Sequence, residues 1–171
     1  MRELLDLLVR SQIPLLVIGG HAVGVHGAQR DTVDLDCMVV AERREEMKAF
    51  LESRGFDETA RHQNFSRYLH RSLAYPMLDV MQVDARTWEL MWSGSQIKEI
   101  KGLPVRVPAV IHLIALKLHA IRQNPDREFQ DADDIVRLLR VNARLYSNDD
   151  LRAVFERYQL LPLLDKVLSV L

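Results

Sequence analysis

Three aspartates stand inside apolar runs, where acid is costly unless something neutralises it. Asp34 and Asp36 are separated by one residue in "VDLDCMVV", and Asp79 lies between Leu78 and Val80 in "MLDVMQVD". Successive side chains of a strand alternate, so Asp34 and Asp36 share a face at roughly 7 Å while Leu35 points into the core. Carboxylates so placed repel one another unless a cation, a basic side chain or water relieves them, and a divalent ion held by oxygen ligands does this well. Magnesium or manganese is the expected occupant. A third carboxylate from a neighbouring strand would close the site, since directly opposed positions lie about 5 Å apart. Asp79 has the apolar flanks of Asp36, whereas Asp84 lies where the strand runs out into "ARTWE", so Asp79 is favoured. Any one of these acids alone reads more simply as a solvated side chain or a helix cap; the pair together with nearby glycines points to chemistry.

Those glycines are Gly19 and Gly20, which close the apolar run "IPLLVI". A tight turn between strand and helix lets backbone N–H groups approach a phosphate, and the helix N-terminus adds partial positive charge. Gly-Gly is also an ordinary turn. The lysine and Ser/Thr of a P-loop and the three-glycine dinucleotide fingerprint are both missing, so neither site is expected. Arg30 could bind phosphate or pair with Asp31. Lys117, in an otherwise apolar helix, either snorkels to the surface or reaches a phosphate, or pairs with Asp131 or Asp134. The histidines show no zinc spacing, and Trp88 with Trp92, at i and i+4, reads as core.

The elements that must position these residues alternate over the first two-thirds of the chain. Met1 to Arg10 is expected to be an amphipathic helix with Leu4, Leu5 and Leu8 on one face. Ile13 to Ile18 follows as a buried strand, His21 to Ala28 as a short helix and Val33 to Val40 as an alternating strand. "AERREEMKAFLESRGF" is a charged helix ending at Gly55, with a stripe of Met47, Phe50 and Leu51. Phe65 to His70 and Met77 to Val83 are two more strands, and "IKEIKGLPVRVP" is a hairpin turning at Lys101-Gly102. Pro108 opens a long apolar helix, and from Phe129 the pattern is helical. The expected class is α+β: a small mixed sheet with helices packed on it over residues 1–106, and a helical C-terminal part packed on that core over residues 107–171.

Length and composition bound the rest. A chain of 171 residues, 48% of them hydrophobic, supports one substantial core. Its formal charge of −1, with acids and bases interspersed, argues against a broad nucleic-acid or membrane footprint. The lone cysteine, Cys37, has no partner for an intramolecular disulfide and reads as a buried thiol. No apolar run reaches the eighteen or so residues that span a bilayer, so a soluble cytoplasmic protein with no membrane partner is expected.

Together, "GGHAVGVHGAQRDTVDLD" and the later "MLDV" resemble the nucleotidyltransferase superfamily of DNA polymerase beta-like fold, in which an apolar strand, a Gly-Gly or Gly-Ser pair and a helix precede an Asp-apolar-Asp strand and a later third Asp. "HGAQRDT" is similar to a stretch of bacterial abortive-infection toxin-type members, and "LIALKLHAIRQNPDREFQDADDI" to their later Lys and Asp-x-x-Asp helices. The resemblance implies that Gly19 and Gly20 hold a triphosphate and that Asp34 and Asp36 bind metal. Asp79 completes the site and helps activate a hydroxyl, while Arg30, Lys117 and Asp131 join the nucleotide. It implies a nucleoside monophosphate passing from a nucleoside triphosphate to an acceptor hydroxyl on a transfer RNA, a protein or a small molecule. Two Mg2+ or Mn2+ ions about 4 Å apart would stabilise the attacking and leaving oxygens. Gly20 stands where many members have serine and Gln130 where lysine is frequent, which motivates a rival reading: a catalytically weak nucleotide-binding or interaction module of a toxin–antitoxin pair, with an antitoxin as partner.

Overall fold

The structure, a computed structural model, describes residues 1–29 and 31–171. Among these residues the chain forms eight α-helices and seven strands and divides into two compact units. The first takes in Met1–Val25 and the stretch that ends at Pro108; the second takes in His26–Gln29 and Ala109–Leu171. The class is α+β.

In the first unit, α1 (Arg2–Arg10) is followed by β1 (Leu16–Val17), α2 (Gly19–Val25), β2 (Leu35–Val40) and α3 (Arg44–Ser53). Then come β3 (Phe56–His62), β4 (Phe65–His70), β5 (Leu78–Val83), α4 (Ala85–Ser93), β6 (Gln96–Ile100) and β7 (Leu103–Val107). The five-stranded sheet runs β1-β2-β5-β4-β3, with β2 and β5 parallel and the other neighbours antiparallel. Parallel neighbours need a crossover. Here α3 and the β3–β4 hairpin supply it. Leu35, Cys37 and Val39 of β2, Leu78 and Val80 of β5 and Tyr68 of β4 are buried, as are Leu4, Leu5 and Leu8 of α1. Beyond the sheet, β6 and β7 pair as a separate hairpin whose turn residues, Lys101 and Gly102, both have positive φ (52° and 79°), the geometry that suits two-residue hairpins.

Local chemistry explains where the elements depart from the sequence pattern. The run from Ile13 is inward-facing, but Pro14 lacks an N–H, and ladder pairing is confined to Leu16 and Val17. The helix expected from His21 begins at Gly19. The strand expected from Val33 begins at Leu35, and Val33 is 76% exposed. The pattern missed β3 altogether. This polar edge strand buries Phe56 and alternates weakly thereafter, and Arg44 braces its hairpin by donating to the carbonyls of His62 and Gln63 at 2.7 and 2.8 Å.

The second unit is helical: α5 (Val110–Gln123), α6 (Glu128–Asn142), α7 (Asn148–Arg157) and α8 (Leu161–Ser169). Leu113, Ile114, Leu118 and Ile121 of α5 are buried, with Ile135, Leu138 and Leu139 of α6 and Phe155 of α7. Side chains satisfy the starts of two of these helices. The Ile111 amide donates to the Tyr146 hydroxyl at 3.2 Å, and Ser147 with Asp150 forms a capping box on α7. No helix among the described residues is long and apolar enough to cross a membrane.

Candidate active site

Strand register brings the acids together. Asp36 of β2 lies directly beside Asp79 of β5, and Asp79 lies directly across from Arg67 of β4. Directly paired residues point to the same face, so Arg67, Asp79 and Asp36 form a row across three strands. Asp34, in the bend that leads into β2, acts electrostatically on Arg67 together with Asp36 and Asp79. The alternate residues, Leu35, Cys37, Leu78 and Val80, are fully buried on the other face. That core holds the strands rigid beneath the charged row. Burial, and then the charges of Asp36 and Asp79, push the Cys37 thiol far above its ordinary value, so it is an inert thiol of the core.

Arg67 grips Asp79 with two parallel bonds: Nε donates to Oδ1 and Nη2 to Oδ2, both at 2.8 Å. Such fork-to-fork pairing fixes the carboxylate plane. Asp79 is largely covered, its side chain 13% exposed, whereas Arg67 is 40% exposed. The pairing with Asp79 holds the guanidinium even more firmly protonated than usual.

Gly19 supplies the wall beside Asp36. Its φ of 63° is left-handed, and a Cβ built there would run into the Asp36 carboxylate, meeting Cγ at 2.5 Å and Cβ at 2.8 Å. Only glycine meets both demands. The turn between β1 and α2 therefore packs its backbone against the second carboxylate, and the Ile18 amide donates to the Asp36 carbonyl at 2.9 Å.

Asp34 and Asp36 suit a hard divalent cation, because Mg2+ commonly takes one or two carboxylates and fills its other positions with substrate phosphate oxygens and water. Among the described residues no group of three His, Cys, Asp or Glu side chains is arranged to hold an ion. Asp79 has both oxygens on Arg67. The donors present thus fit an ion that shares its coordination with a nucleotide rather than one enclosed by protein.

A family model of aminoglycoside-2''-adenylyltransferase matches residues 1–107. The chain belongs to that family. It is therefore a nucleotidyltransferase, of the superfamily that the glycine pair and the Asp-x-Asp strand resemble. Among solved structures, ANT(2'')-Ia in complex with adenylyl-2''-tobramycin is 15% identical over 92% of this chain and 94% of that one, with a TM-score of 0.69. The lincosamide antibiotic adenylyltransferase LnuA, with lincomycin bound, is 15% identical over 82% of this chain and 94% of that one (TM-score 0.58). An antigenic nucleotidyltransferase-like protein from Paracoccidioides brasiliensis is 17% identical over 98% of this chain and 89% of that one (TM-score 0.58). At these identities the likeness is one of fold. No curated protein sequence matches.

In this adenylyltransferase-family chain several of the other residues singled out in the sequence have structural partners. Lys117 is buried in α5, and its ammonium lies 2.8 Å from Asp131 and 2.6 Å from Asp134, both fully buried on α6. Arg127 adds a bond from Nε to the other oxygen of Asp131 at 2.8 Å. Burial alone would raise the Asp131 carboxyl, but Arg127 and Lys117 outweigh it and hold the group below the usual carboxylate range. Gly20 is buried in the first turn of α2. Asp84 caps α4, accepting from the Thr87 amide at 3.0 Å. Trp88 and Trp92 stack at 5.0 Å, with Trp88 buried and Arg106 over the Trp92 ring. Arg30, expected at the phosphate, lies outside the described residues.

Arg67 is the site residue that the sequence pattern did not single out. A signal was present: in β4 the buried residues are Ser66 and Tyr68, so the central arginine between them must share a face with the outward residues of the neighbouring strand. Only the β4–β5 register turns that face into a contact with Asp79.

Proposed function

We propose that the protein transfers AMP from ATP to a hydroxyl group of a small-molecule acceptor, using Mg2+ or Mn2+ at Asp34 and Asp36. The observation that carries this reading is the cross-strand row of Arg67, Asp79 and Asp36 with the Gly19 backbone against it. Membership of an adenylyltransferase family supports the nucleotide. The antibiotic ligands of the structural relatives support a small hydroxyl-bearing acceptor over a transfer RNA or a protein.

When bound, the ion would neutralise phosphate charge and draw electron density from the α-phosphorus. Asp34 and Asp36 would hold it on the sheet face, and the backbone of the Gly19-Gly20 turn, which packs on Asp36 without side-chain bulk, would meet the triphosphate. Each Asp79 oxygen accepts one bond from Arg67 and keeps a second lone pair, so one of them can accept the hydrogen of the attacking hydroxyl. The acceptor oxygen bonds to the α-phosphorus, the bond to the β-phosphate oxygen breaks, pyrophosphate leaves and the proton passes to Asp79. Positioning and charge neutralisation do most of this work. Lys117 and Asp131, with their charges satisfied inside the second unit, take a scaffold role in this scheme.

Incubation with ATP, Mg2+ and a panel of aminoglycosides and lincosamides, followed by mass spectrometry, tests the reading. The expected result is one AMP adduct on an acceptor hydroxyl, lost in Asp36→Asn. An adduct formed equally by wild type and Asp36→Asn would refute it.

A further inference from the structure

Arg67 has more donors than Asp79 takes up. A guanidinium carries five N–H bonds, and Asp79 accepts two of them, one from Nε and one from Nη2, each at 2.8 Å. Among the described residues Nη1 makes no hydrogen bond, and the side chain is 40% exposed. The guanidinium lies over the Phe65 ring at 5.6 Å, which restricts its swing. On its other side the paired residue is Ala60 of β3, whose methyl group brings neither charge nor bulk. The remaining donors are thus fixed in direction, unused and open to solvent.

Their place in the row decides what they meet. The Gly19 backbone stands against Asp36 at one end, and Arg67 adjoins Asp79 at the other. In the transfer reading the pyrophosphate leaves at the glycine end, and attacking and leaving oxygens lie roughly in line across the phosphorus. The acceptor therefore comes from the Arg67 end. A hydroxyl bonded to Asp79 stands beside the guanidinium, since both hold the same carboxylate. We propose that Arg67 selects the acceptor, donating from Nη1 and the second Nη2 hydrogen to an anionic oxygen, of a carboxylate or a phosphate, carried a few bonds from the reacting hydroxyl. The inference rests on the transfer reading and narrows its acceptor class. An ammonium in that position accepts no hydrogen bond and meets a like charge that arginine does not lose. Lysine would keep the charge without the fixed fork.

AMP transfer from ATP with Mg2+ to three pools of hydroxyl compounds tests the proposal: sugar acids with sugar phosphates, their neutral parents, and amino sugars with aminoglycosides. Adducts are identified by mass spectrometry, and kcat/KM is measured for the best acceptor of each pool. In wild type the anionic pool should exceed the amino pool by at least about tenfold, the scale of one hydrogen bond to a charged group. Arg67→Met should bring that ratio within about threefold or invert it, whatever happens to the overall rate, and Arg67→Lys should keep part of it. An arginine with a merely structural role would lower all three pools alike. Preference for the amino pool in wild type, or an unchanged ratio in a folded Arg67→Met, would overturn the proposal and leave the transfer reading standing. Should Arg67→Met fail to fold by circular dichroism, Arg67→Gln replaces it under the same criteria. No adduct in any pool, lincosamides added, would instead bring down the transfer reading itself, and this proposal with it.

Discussion

The protein carries two clusters of carboxylates, one in each unit, and they solve the same electrostatic problem in opposite ways. In the helical unit, Asp131 and Asp134 are fully buried and Lys117 is 7% exposed, with Arg127 closing the remaining side of Asp131. Every charge there is met from within. On the sheet, Asp79 is held by an arginine that is itself 40% exposed, and the glycine turn beside Asp36 keeps side-chain bulk away. A buried cluster with balanced charge is a packing device, costly to break and indifferent to solutes. A half-open cluster stays within reach of solutes. The difference is one of setting rather than of residue type, since the same kinds of side chain make up both clusters.

The contrast can be broken most severely at the sheet. The Asp34→Asn/Asp36→Asn double variant should lose transfer by at least about 10^3-fold, equivalent to about 4 kcal/mol of transition-state stabilisation. Its melting temperature should hold, because neither acid belongs to the apolar core. A melting temperature that collapsed would mean these acids are structural after all. In the helical unit the expectation reverses. Lys117→Met leaves two buried carboxylates without their shared counter-charge and should cost roughly 3–5 kcal/mol of stability, read by urea unfolding; a loss below about 1 kcal/mol would show that the cluster is not the scaffold described.

Gly19→Ala lies between these extremes. The left-handed backbone alone should cost about 1–2 kcal/mol, and the displaced Asp36 carboxylate should lower turnover as well. Unchanged stability and turnover together would contradict the close approach. The smallest effect is one of pH. Asp131 is held below its unfolded value of about 3.9, so its stabilising contribution is complete above that value and fades as pH falls through the folded one. The stability gap between wild type and Asp131→Asn should therefore be constant from about pH 7 to pH 5 and narrow below about pH 4. A gap that widened in acid would reverse the sign of the argument.

Much of this was legible in the sequence because two periods carry it. Leu4, Leu5 and Leu8 announced α1, and the alternation around Asp36 and Asp79 announced β2 and β5; that the two acids share a face follows from the register of those strands. Lys101-Gly102 announced its hairpin through turn chemistry alone. What stayed hidden depends on pairing between distant segments. The strand β3 is a solvated edge with one fully buried side chain, so it carries little of the hydrophobic signal that marks strands. Arg67 becomes a site residue only through the register of β4 on β5, and register is set by packing and turn geometry, not by local composition. Lys117 had three readings in sequence, at the surface, on a phosphate or paired with Asp131 or Asp134; burial removes the first, and its ion pairs match the third.

Calorimetric titration of the ATP analogue with Mn2+ into three proteins tests the central claim, that the open cluster is the nucleotide site and the closed one its scaffold. Binding should be lost in Asp34→Asn/Asp36→Asn and stay within about twofold of wild type in Asp131→Asn, a difference well under 1 kcal/mol. Binding retained by the double variant and lost in a folded Asp131→Asn would contradict it.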